Sequence, residues 1–329
     1  MLSVVFATHN RAAGLPRVLE AFAALSSPPG GWKLLVVDNG STDNTRAVLA
    51  GYAARLPLTV LDCPRPGKNR ALNTAIPYLE GDLCVWTDDD VLPDREWLVR
   101  LRQAADLHPH ATMFGGTVLP EWPEAVPPWL TERAVPFSVL YAKNEHTTGY
   151  CGFQHIFGPN MAVRRLVFVA GIRFAEDIGP DATNPLYAMG SETELLRRLQ
   201  ARGHRGWFEA AARVRHIVRP EQMQEDWILA RAYRYGAGEG ANHAPGRGAG
   251  DTAARRLPAG LLLRVAAYRV AAMLAGPLPP SPSRLRILYR DRYLAGVMAG
   301  RRGLARSRAA PERGGELALV GENRTATAP

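Results

Sequence analysis

The sequence predicts an α/β fold in which a mostly parallel sheet is flanked by helices. Short runs of aliphatic and β-branched residues alternate with amphipathic stretches through the first 120 residues, and this alternation is typical of consecutive βαβ units. Polar clusters follow three of the apolar runs, at the strand ends where open parallel sheets bind their ligands. With 329 residues, 47% of them hydrophobic, the chain is long enough to bury a sizeable core.

Five strands separated by four helices are predicted in this part of the chain. The opening apolar run is interrupted at Thr8-His9-Asn10-Arg11, too early for a signal peptide, and is interpreted as the first strand. The predicted strands are Leu2–Ala7, Lys33–Asp38, Leu58–Asp62, Leu83–Thr87 and Thr112–Val118. The predicted helices are Leu15–Leu25, Asp43–Arg55, Lys68–Leu79 and Arg95–Leu107.

Turn and capping residues place two of these helices. Asn39-Gly40 supplies a turn, and the polar residues 41–43 can cap the helix that follows. Lys68 and Arg70 stand at the start of the next helix, where either can balance carboxylates or hold a phosphate. Because the first strand is followed by neither a GxxxxGK[ST] loop nor a GxGxxG motif, a kinase-type or dinucleotide site is disfavoured.

The most informative motif is Asp88-Asp89-Asp90, three carboxylates directly after the fourth strand. Carboxylates this close raise each other's pKa unless a cation, hydrogen bonds or water offset their charge. A divalent cation held here would attract phosphate. The alternative is a solvated acidic turn that caps the helix beginning near Pro93. Asp38, which ends the second strand, also has two interpretations: a structural role, or hydrogen bonds to a nucleobase or ribose.

Charge is distributed very unevenly along the chain, whose formal net charge is +9. Residues 1–196 carry 16 basic and 21 acidic side chains, whereas residues 197–308 carry 22 basic and 7 acidic ones. The C-terminal third fits an anionic membrane surface better than nucleic acid, because the chain has no RNP-type aromatic run and no zinc-finger spacing. Cys63, Cys84 and Cys151 have no CxxC spacing and indicate buried thiols in a reducing compartment.

In its ordered motifs the chain resembles the GT-A glycosyltransferases of family 2, which transfer a sugar from a nucleotide-sugar donor. The resemblance runs from Met1 to about Arg219, and the order and spacing of six motifs together make it specific. The motifs are VVFATHNR from Val4, VVDNGSTDNT from Val36, GKNRALN from Gly67, TDDDVLP from Thr87, GPNMA from Gly158 and GSETEL from Gly190.

The resemblance implies roles for residues at the strand ends. The donor is expected to contact Thr8, Asn10, Arg11, Asp38, Lys68, Asp88 and Asp89. A divalent cation, Mg²⁺ or Mn²⁺, is expected on Asp90 and Asp88 as the family's DxD pair, where it neutralises the departing diphosphate. Asp89 offers a second register for this pair. His216 resembles a histidine that completes the metal shell, and its alternative is an ordinary strand-end histidine.

The catalytic base is expected to be Glu192. In the family an acidic pair often opens this helix, and here Ser191-Glu192 stands in its place. Glu194 lies about 200° further around a helix, so both glutamates cannot face one substrate. Ser191 is predicted as the N-cap with Glu194 as its capping-box partner, which leaves Glu192 free to point into the cleft.

The C-terminal third is predicted to be a basic helical extension. Residues 1–220 are expected to form the GT-A domain, with a nucleotide-sugar half (1–120) and an acceptor half (121–220), followed by helices over 221–306 and a disordered tail over 307–329. Ala259–Ala275 and Ile287–Ala299 pair apolar surface with arginines, as interfacial helices do. The glycine-rich stretch 237–254 is predicted to be a flexible loop.

Aromatic residues before Tyr150 have two interpretations. Trp122, Trp129 and Tyr141 can stack on a sugar or cover a lipid phosphate, or they can belong to the core.

These features together predict a metal-dependent, inverting glycosyltransferase of cell-envelope or exopolysaccharide assembly. The donor is expected to be a UDP-sugar and the acceptor a lipid-linked molecule or a saccharide. One sugar is expected to move at a time, because the QxxRW signature of processive synthases is absent. The protein is expected to be cytoplasmic and peripheral on the inner face of the membrane, without nucleic acid, and a homo-oligomer stays open. The alternatives are a non-catalytic sugar-nucleotide or envelope-binding protein on the same fold and, third, a nucleotidyltransferase, which would need a glycine-rich basic loop after the first strand.

Overall fold

The computed structural model describes residues 1–181, 187–242 and 258–302 of the chain. Its first part contains all the predicted strands and helices and one additional short strand, β5. The elements are β1 (Leu2–Thr8), α1 (Leu15–Ala23), β2 (Trp32–Asp38), α2 (Thr45–Tyr52), β3 (Leu58–Asp62), α3 (Lys68–Ala75), β4 (Leu83–Trp86), β5 (Val91–Pro93), α4 (Trp97–Leu107) and β6 (Ala111–Glu121).

The second part combines three further strands with six helices in the described residues. These elements are α5 (Phe137–Tyr141), β7 (Gly149–Cys151), β8 (Met161–Arg164), α6 (Leu166–Val169), α7 (Ser191–Ala201), β9 (Arg205–Ile217), α8 (Glu225–Asn242), α9 (Ala259–Ala275) and α10 (Pro282–Arg301).

All nine strands of the described residues belong to one sheet. Its order is β3-β2-β1-β4-β8-β6-β9-β5, and β7 pairs with β9. The strands β3, β2, β1 and β4 are parallel, as the βαβ rhythm predicts. Strand β8 runs antiparallel between β4 and β6, whereas β6 and β9 are parallel to each other. The α/β prediction is therefore confirmed, and the antiparallel pairs come from the half that the sequence pattern did not resolve.

Two hydrophobic clusters cover the two faces of the sheet. Along β1, Val4 and Phe6 belong to one cluster and Val5 to the other, and all three are fully buried. The first cluster includes residues of α1 and α4, and the second includes residues of α3 and α7. Strands buried on both faces need continuous apolar sequence, which explains the run at the start of the chain.

Two of the three thiols are buried, as the sequence predicts. All three cysteines are free, and Cys63 and Cys84 are buried. Cys151 is only partly buried, on the short edge strand β7.

The unpredicted strand β5 fixes the position of the acidic motif. Its three residues pair antiparallel with the end of β9, so that Val91 lies opposite His216. The Ile217 N–H also donates to the Asp90 carbonyl oxygen at 2.8 Å. Pro93 therefore ends a strand instead of beginning a helix, and α4 starts at Trp97. The interpretation of the motif as a simple helix cap is wrong for this reason.

A third hydrophobic cluster joins α5 to α8 and α10. It contains Tyr141, which is fully buried and whose hydroxyl donates to the Gln222 carbonyl oxygen at 3.1 Å. Trp122 and Trp129 pack against the same cluster. Of the two interpretations of these aromatic residues, the structure supports the core.

The helical C-terminal extension is present, with one correction. Residues 237–242 continue α8 as a helix instead of forming a loop. Gly236 and Gly240 of α8 face the backbone of α10, where a Cβ would overlap the carbonyl oxygens of Tyr293 and Val297. Glycine is therefore used for close helix contact and not for flexibility. The rest of the predicted loop, 243–254, and the predicted tail, 307–329, lie outside the described residues.

Candidate active site

The polar strand ends converge on one edge of the sheet, as parallel pairing requires. Thr8 and Asp38 are register partners at the ends of β1 and β2. The Thr8 hydroxyl donates to Asp89 Oδ2 at 2.8 Å, which brings the first strand end to the acidic motif. The residues at the ends of β1, β2 and β4 that are expected to bind the donor therefore lie at one edge of the sheet.

Arg11 lies between two carboxylates of the acidic motif. Its Nε is 3.2 Å from Asp89 Oδ1, and its Nη2 is 2.8 Å from Asp90 Oδ2. Burial would lower the pKa of Arg11, but these two carboxylates outweigh it and raise the pKa. The guanidinium thus offsets part of the negative charge from the β1 side.

Asn10 and Asp38 organise the loop that follows β2. Asn10 has a left-handed backbone, with φ of 53°, and its side-chain oxygen accepts from the Thr42 N–H at 2.8 Å. Asp38 is fully buried, accepts from the Ser41 N–H at 2.9 Å and pairs with Arg46 Nε at 2.7 Å. A buried carboxylate needs such partners, so in this structure both residues hold the loop between β2 and α2.

Asp90 is the most heavily paired residue of the acidic motif. Its Oδ1 lies 3.4 Å from His216 Nε2, and its Oδ2 lies 3.4 Å from Arg219 Nη1 as well as close to Arg11. Burial alone would raise the pKa of Asp90, but these three basic groups lower it below its usual range. In contrast, burial and the neighbouring Asp90 carboxylate raise the pKa of Asp89 to about 6.

Lys68 joins Asp88 to Glu192. Its Nζ lies 2.6 Å from Asp88 Oδ1 and 2.6 Å from Glu192 Oε1, although these residues come from three separate elements. Burial alone would lower the pKa of Lys68, and the two carboxylates raise it instead. The structure therefore brings the residue expected as base to the same cluster as the acidic motif.

Glu192 faces the cluster, but not by the capping arrangement predicted for its helix. Helix α7 begins at Ser191 with Gly190 as N-cap, and the Ser191 hydroxyl donates to Glu192 Oε2 at 2.7 Å. Glu194 pairs with Arg198 one turn later, at 2.7 Å, so the capping-box prediction is wrong. The two glutamates do point in different directions, as helical geometry requires.

Glu192 is held as a carboxylate. Burial alone would raise the pKa of Glu192, but the Lys68 ammonium outweighs it and lowers that pKa to about 2. Only 18% of its side chain is exposed. A partly exposed, ionised carboxylate can accept a proton from a hydroxyl group.

Sequence reasoning missed Arg219 and Arg46 as parts of the site. Arg219 follows His216 by three residues and reaches Asp90 beyond the end of β9, and Arg46 reaches Asp38 from α2. A pattern signal existed for Arg219, because it directly follows the strand that carries His216. None existed for Arg46, whose position at the start of α2 carries no motif that links it to Asp38.

Two of the three predicted metal ligands are placed to bind a divalent cation. Asp90 and His216 supply an oxygen and a nitrogen ligand that already face each other, and His216 Nδ1 is buried without a hydrogen-bond partner. Asp88 is turned to Lys68, and no cluster of three ligating side chains occurs in residues 1–181, 187–242 and 258–302. Because Mg²⁺ and similar ions often take one or two protein ligands and complete their shell with substrate phosphates and water, these residues fit such an ion.

Comparison with known proteins identifies the family. The family described as Glycosyl transferase family 2 matches residues 3–170. The match covers more than half of the chain, so the chain belongs to glycosyltransferase family 2, and it is a transferase.

Two curated relatives come from saccharide and glycolipid biosynthesis. The succinoglycan biosynthesis protein ExoM of Rhizobium meliloti is 26% identical over 231 residues, covering 69% of this chain and 70% of the relative. The glucosyl-dolichyl phosphate glucuronosyltransferase of Haloferax volcanii is 25% identical over 158 residues, covering 47% of this chain. The chain spans about half of that second relative's length, at 49%.

Solved structures confirm the GT-A fold. The mannosyltransferase PcManGT of Pyrobaculum calidifontis, solved with GDP-Man and Mn²⁺, has a TM-score of 0.59 at 20% identity and covers 91% of this chain and 86% of its own. The structure of S. aureus TarS has a TM-score of 0.52 at 16% identity, covering 91% of this chain and 55% of that one.

Proposed function

We propose that this transferase moves one sugar from a nucleotide-sugar, a UDP-sugar by preference, to a hydroxyl of a lipid-linked or saccharide acceptor. The observation that carries the proposal is the convergence of Glu192, Lys68 and the acidic motif at the carboxyl edge of the sheet. This edge is where open α/β sheets bind ligands, and it combines a proton acceptor with cations that suit a diphosphate.

In the proposed reaction Glu192 acts as the general base. It takes the proton of the acceptor hydroxyl while that oxygen forms a bond to the anomeric carbon, and the bond from that carbon to the diphosphate oxygen breaks. The nucleoside diphosphate leaves with the bonding electron pair. A single displacement from the side of Glu192 inverts the anomeric configuration, and it needs one carboxylate at the acceptor, which Glu192 supplies.

The other charged groups are proposed to hold the donor. Asp90 and His216, with Asp88 after it leaves Lys68, would bind Mg²⁺ or Mn²⁺, which neutralises charge on the leaving diphosphate. Arg11, Lys68 and Arg219 are the cations nearest these carboxylates. When a phosphate enters, guanidinium and ammonium groups can donate charge-assisted hydrogen bonds to it. Thr8, Asn10, Asp38 and Asp89 would complete the nucleotide pocket.

The relatives support the proposed acceptor class. One is named for succinoglycan biosynthesis and one for transfer to a glucosyl-dolichyl phosphate. We therefore propose a role in cell-envelope or exopolysaccharide assembly, with the protein cytoplasmic and peripheral on the inner face of the membrane. No helix among the described residues is long and apolar enough to cross a bilayer.

Binding of nucleotide-sugars with and without Mn²⁺ tests the donor site. A panel of UDP-, GDP- and dTDP-sugars is titrated into the protein by calorimetry, and one nucleotide is expected to bind at least tenfold more tightly with the ion present. Asp90→Asn should remove this dependence on the ion, because it removes a charged metal ligand while the fold of the protein stays intact. The matched control is Asp94→Asn, an exposed carboxylate four residues on. Equal affinity with and without Mn²⁺ in the unsubstituted protein contradicts the metal assignment.

A further inference from the structure

Helix α9 is apolar on two opposite faces, and only one of them packs against other described residues of the chain. Its inner face lies against α10 and includes Val265 and Tyr268, both partly buried, and Ala275, which is buried. Its outer face exposes large apolar side chains by 45% to 74%. These side chains are Leu262, Leu263, Val270, Met273 and Leu274. Soluble monomers rarely expose such a contiguous patch unless it binds something.

Arginines border the outer face on both sides. At 100° per residue, the five exposed side chains span an arc of about 120°, with Arg269 beside one border and Arg264 beyond the other. Arg269 Nε lies 3.0 Å from Asp291 Oδ1 of α10, and 44% of the Arg269 side chain is still exposed. An apolar arc with flanking arginines is the pattern of a helix that lies in a membrane interface.

The surroundings of the outer face are strongly cationic. Residues 258–302 contain eight arginines and one acidic residue, Asp291, which gives a formal charge of +7 (8 minus 1). A groove of about 470 Å³ lies between α9, α10 and the end of α8. Its lining includes Arg264, Arg290 and Arg301, apolar side chains such as Leu294, and the carboxylate of Glu239. Because the groove lies on the inner side of α9, Arg290 and Arg301 add to the positive field around the helix without touching what the outer face binds.

We propose that the outer face of α9 docks on an anionic lipid bilayer. The apolar arc enters the boundary between headgroups and acyl chains, and the arginines at its borders contact lipid phosphates. The second segment expected at the membrane, Ile287–Ala299, does not take part through its apolar side. Its Tyr289, Leu294 and Ala299 are buried, and Gly296 lies against the backbone of α8.

A bilayer fits this surface better than a second copy of the chain. In a two-fold dimer, the same face meets itself, so the +7 region of each copy would lie against the other. Like charges across an interface oppose association, whereas anionic headgroups supply the opposite charge. The inference rests on the peripheral membrane association of the proposed function and deepens it by naming the docking surface, and it depends on α9 and α10 and not on the donor site.

Flotation of the full chain with vesicles tests the proposal. The protein should float with phosphatidylglycerol vesicles and remain at the bottom with phosphatidylcholine vesicles, and 0.5 M NaCl should weaken flotation several-fold as it screens the arginines. Leu263→Gln with Leu274→Gln should reduce the floating fraction at least tenfold. The matched control, Leu107→Gln with Leu166→Gln, removes two exposed leucines elsewhere, at 75% and 57% exposure, and should float normally.

The charge contribution has its own matched pair. Arg264→Gln with Arg290→Gln should weaken flotation several-fold, whereas Arg100→Gln with Arg202→Gln removes the same charge from exposed positions elsewhere and should not. Failure of the unsubstituted protein to float with either lipid overturns the proposal. The proposal is also overturned if the two control variants lose as much flotation as the variants of α9 and α10. A dimer in light scattering that Leu263→Gln with Leu274→Gln dissociates would assign the face to self-association instead. Nucleotide binding by calorimetry stays unchanged in all these variants, which separates this test from that of the proposed function.

Discussion

Lys68 is the residue that sets the charge of the proposed base. One ammonium group pairs with two carboxylates that come from separate parts of the chain, Asp88 and Glu192. Without such a partner, a carboxylate with this little exposure would hold a proton near neutral pH. The ion pair therefore keeps Glu192 ready to accept a proton, and a donor phosphate that attracts Lys68 would free the base at the moment when it is needed.

The first residue prediction compares Glu192 with Glu194. Glu192→Gln keeps the size of the side chain but cannot accept the acceptor's proton, so transfer should fall by about 10²–10⁴-fold with little change in donor affinity. Glu194→Gln, the matched control, loses only an ion pair with Arg198 and should keep transfer within about twofold. Initial rates of sugar transfer with saturating donor measure both. A larger loss of transfer in the Glu194 variant would show that the base lies on the other face of α7.

The second residue prediction concerns the pH profile. The pKa of Glu192 is lower in the folded protein, about 2, than in the unfolded chain. Such a carboxyl stabilises the fold at any pH above its unfolded pKa, and this stabilisation is lost as the pH falls through the folded pKa. Between pH 5 and 9 Glu192 is therefore ionised and the ion pair intact. In Lys68→Met burial acts without opposition and raises the pKa of Glu192, so an acid limb should appear in kcat at about pH 6.

The control for this prediction is Lys68→Arg, which keeps the positive charge and should keep the profile flat on the acid side. The shape of the pH profile is the informative measurement, because both variants can also weaken donor binding. A Lys68→Met enzyme whose kcat stays flat from pH 5 upward would show that Lys68 does not control the ionisation of Glu192.

At the scale of elements, the short strand β5 does the most to assemble the site. It is three residues long, yet its pairing with β9 brings His216 and Arg219 to Asp90. The pairing joins segments more than one hundred residues apart, and no local pattern in three residues distinguishes a strand from a helix start. This explains why the sequence predicted the acidic motif but not the backbone that holds it.

Helix α8 shows the opposite failure of local reasoning. Its glycines predict a loop by propensity alone, because glycine in a helix costs about 1 kcal/mol relative to alanine. The neighbouring helix α10 reverses this preference. Gly296 and Gly300 of α10 meet the backbone of α8 just as Gly236 and Gly240 meet the backbone of α10, so four glycines build one contact.

The element prediction uses this contact. Gly296→Ala should destabilise the protein by about 1–3 kcal/mol, although alanine is the better helix former, because its Cβ would overlap the carbonyl oxygen of Tyr233. Gly51→Ala in α2 is the matched control, since nothing lies within 4 Å of its Cβ position. The control should gain up to about 1 kcal/mol. Urea unfolding of both variants measures the difference, and stabilisation by Gly296→Ala would show that the two helices are not in close contact.

At the scale of the whole molecule, the sequence predicts the half of the fold that is built from local units. The strands β1 to β4 and their helices follow from alternating patterns, and parallel pairing then places Thr8, Asp38 and the acidic motif together. The antiparallel strands β7 and β8 and the long strand β9 depend on partners far along the chain, so periodicity does not reveal them. The unequal distribution of charge, in contrast, is visible in the sequence and reappears as the cationic surface of α9 and α10.

The third hydrophobic cluster determines which parts of this protein can be exchanged with those of a relative. It joins Phe137–Tyr141, within the first 220 residues, to α8 and α10, and much of it lies beyond the 3–170 match to the family. A chimaera that replaced only the C-terminal helices would join two halves of different cores. A chimaera should therefore take two separate segments, residues 122–141 and residues 218–302, from the same protein.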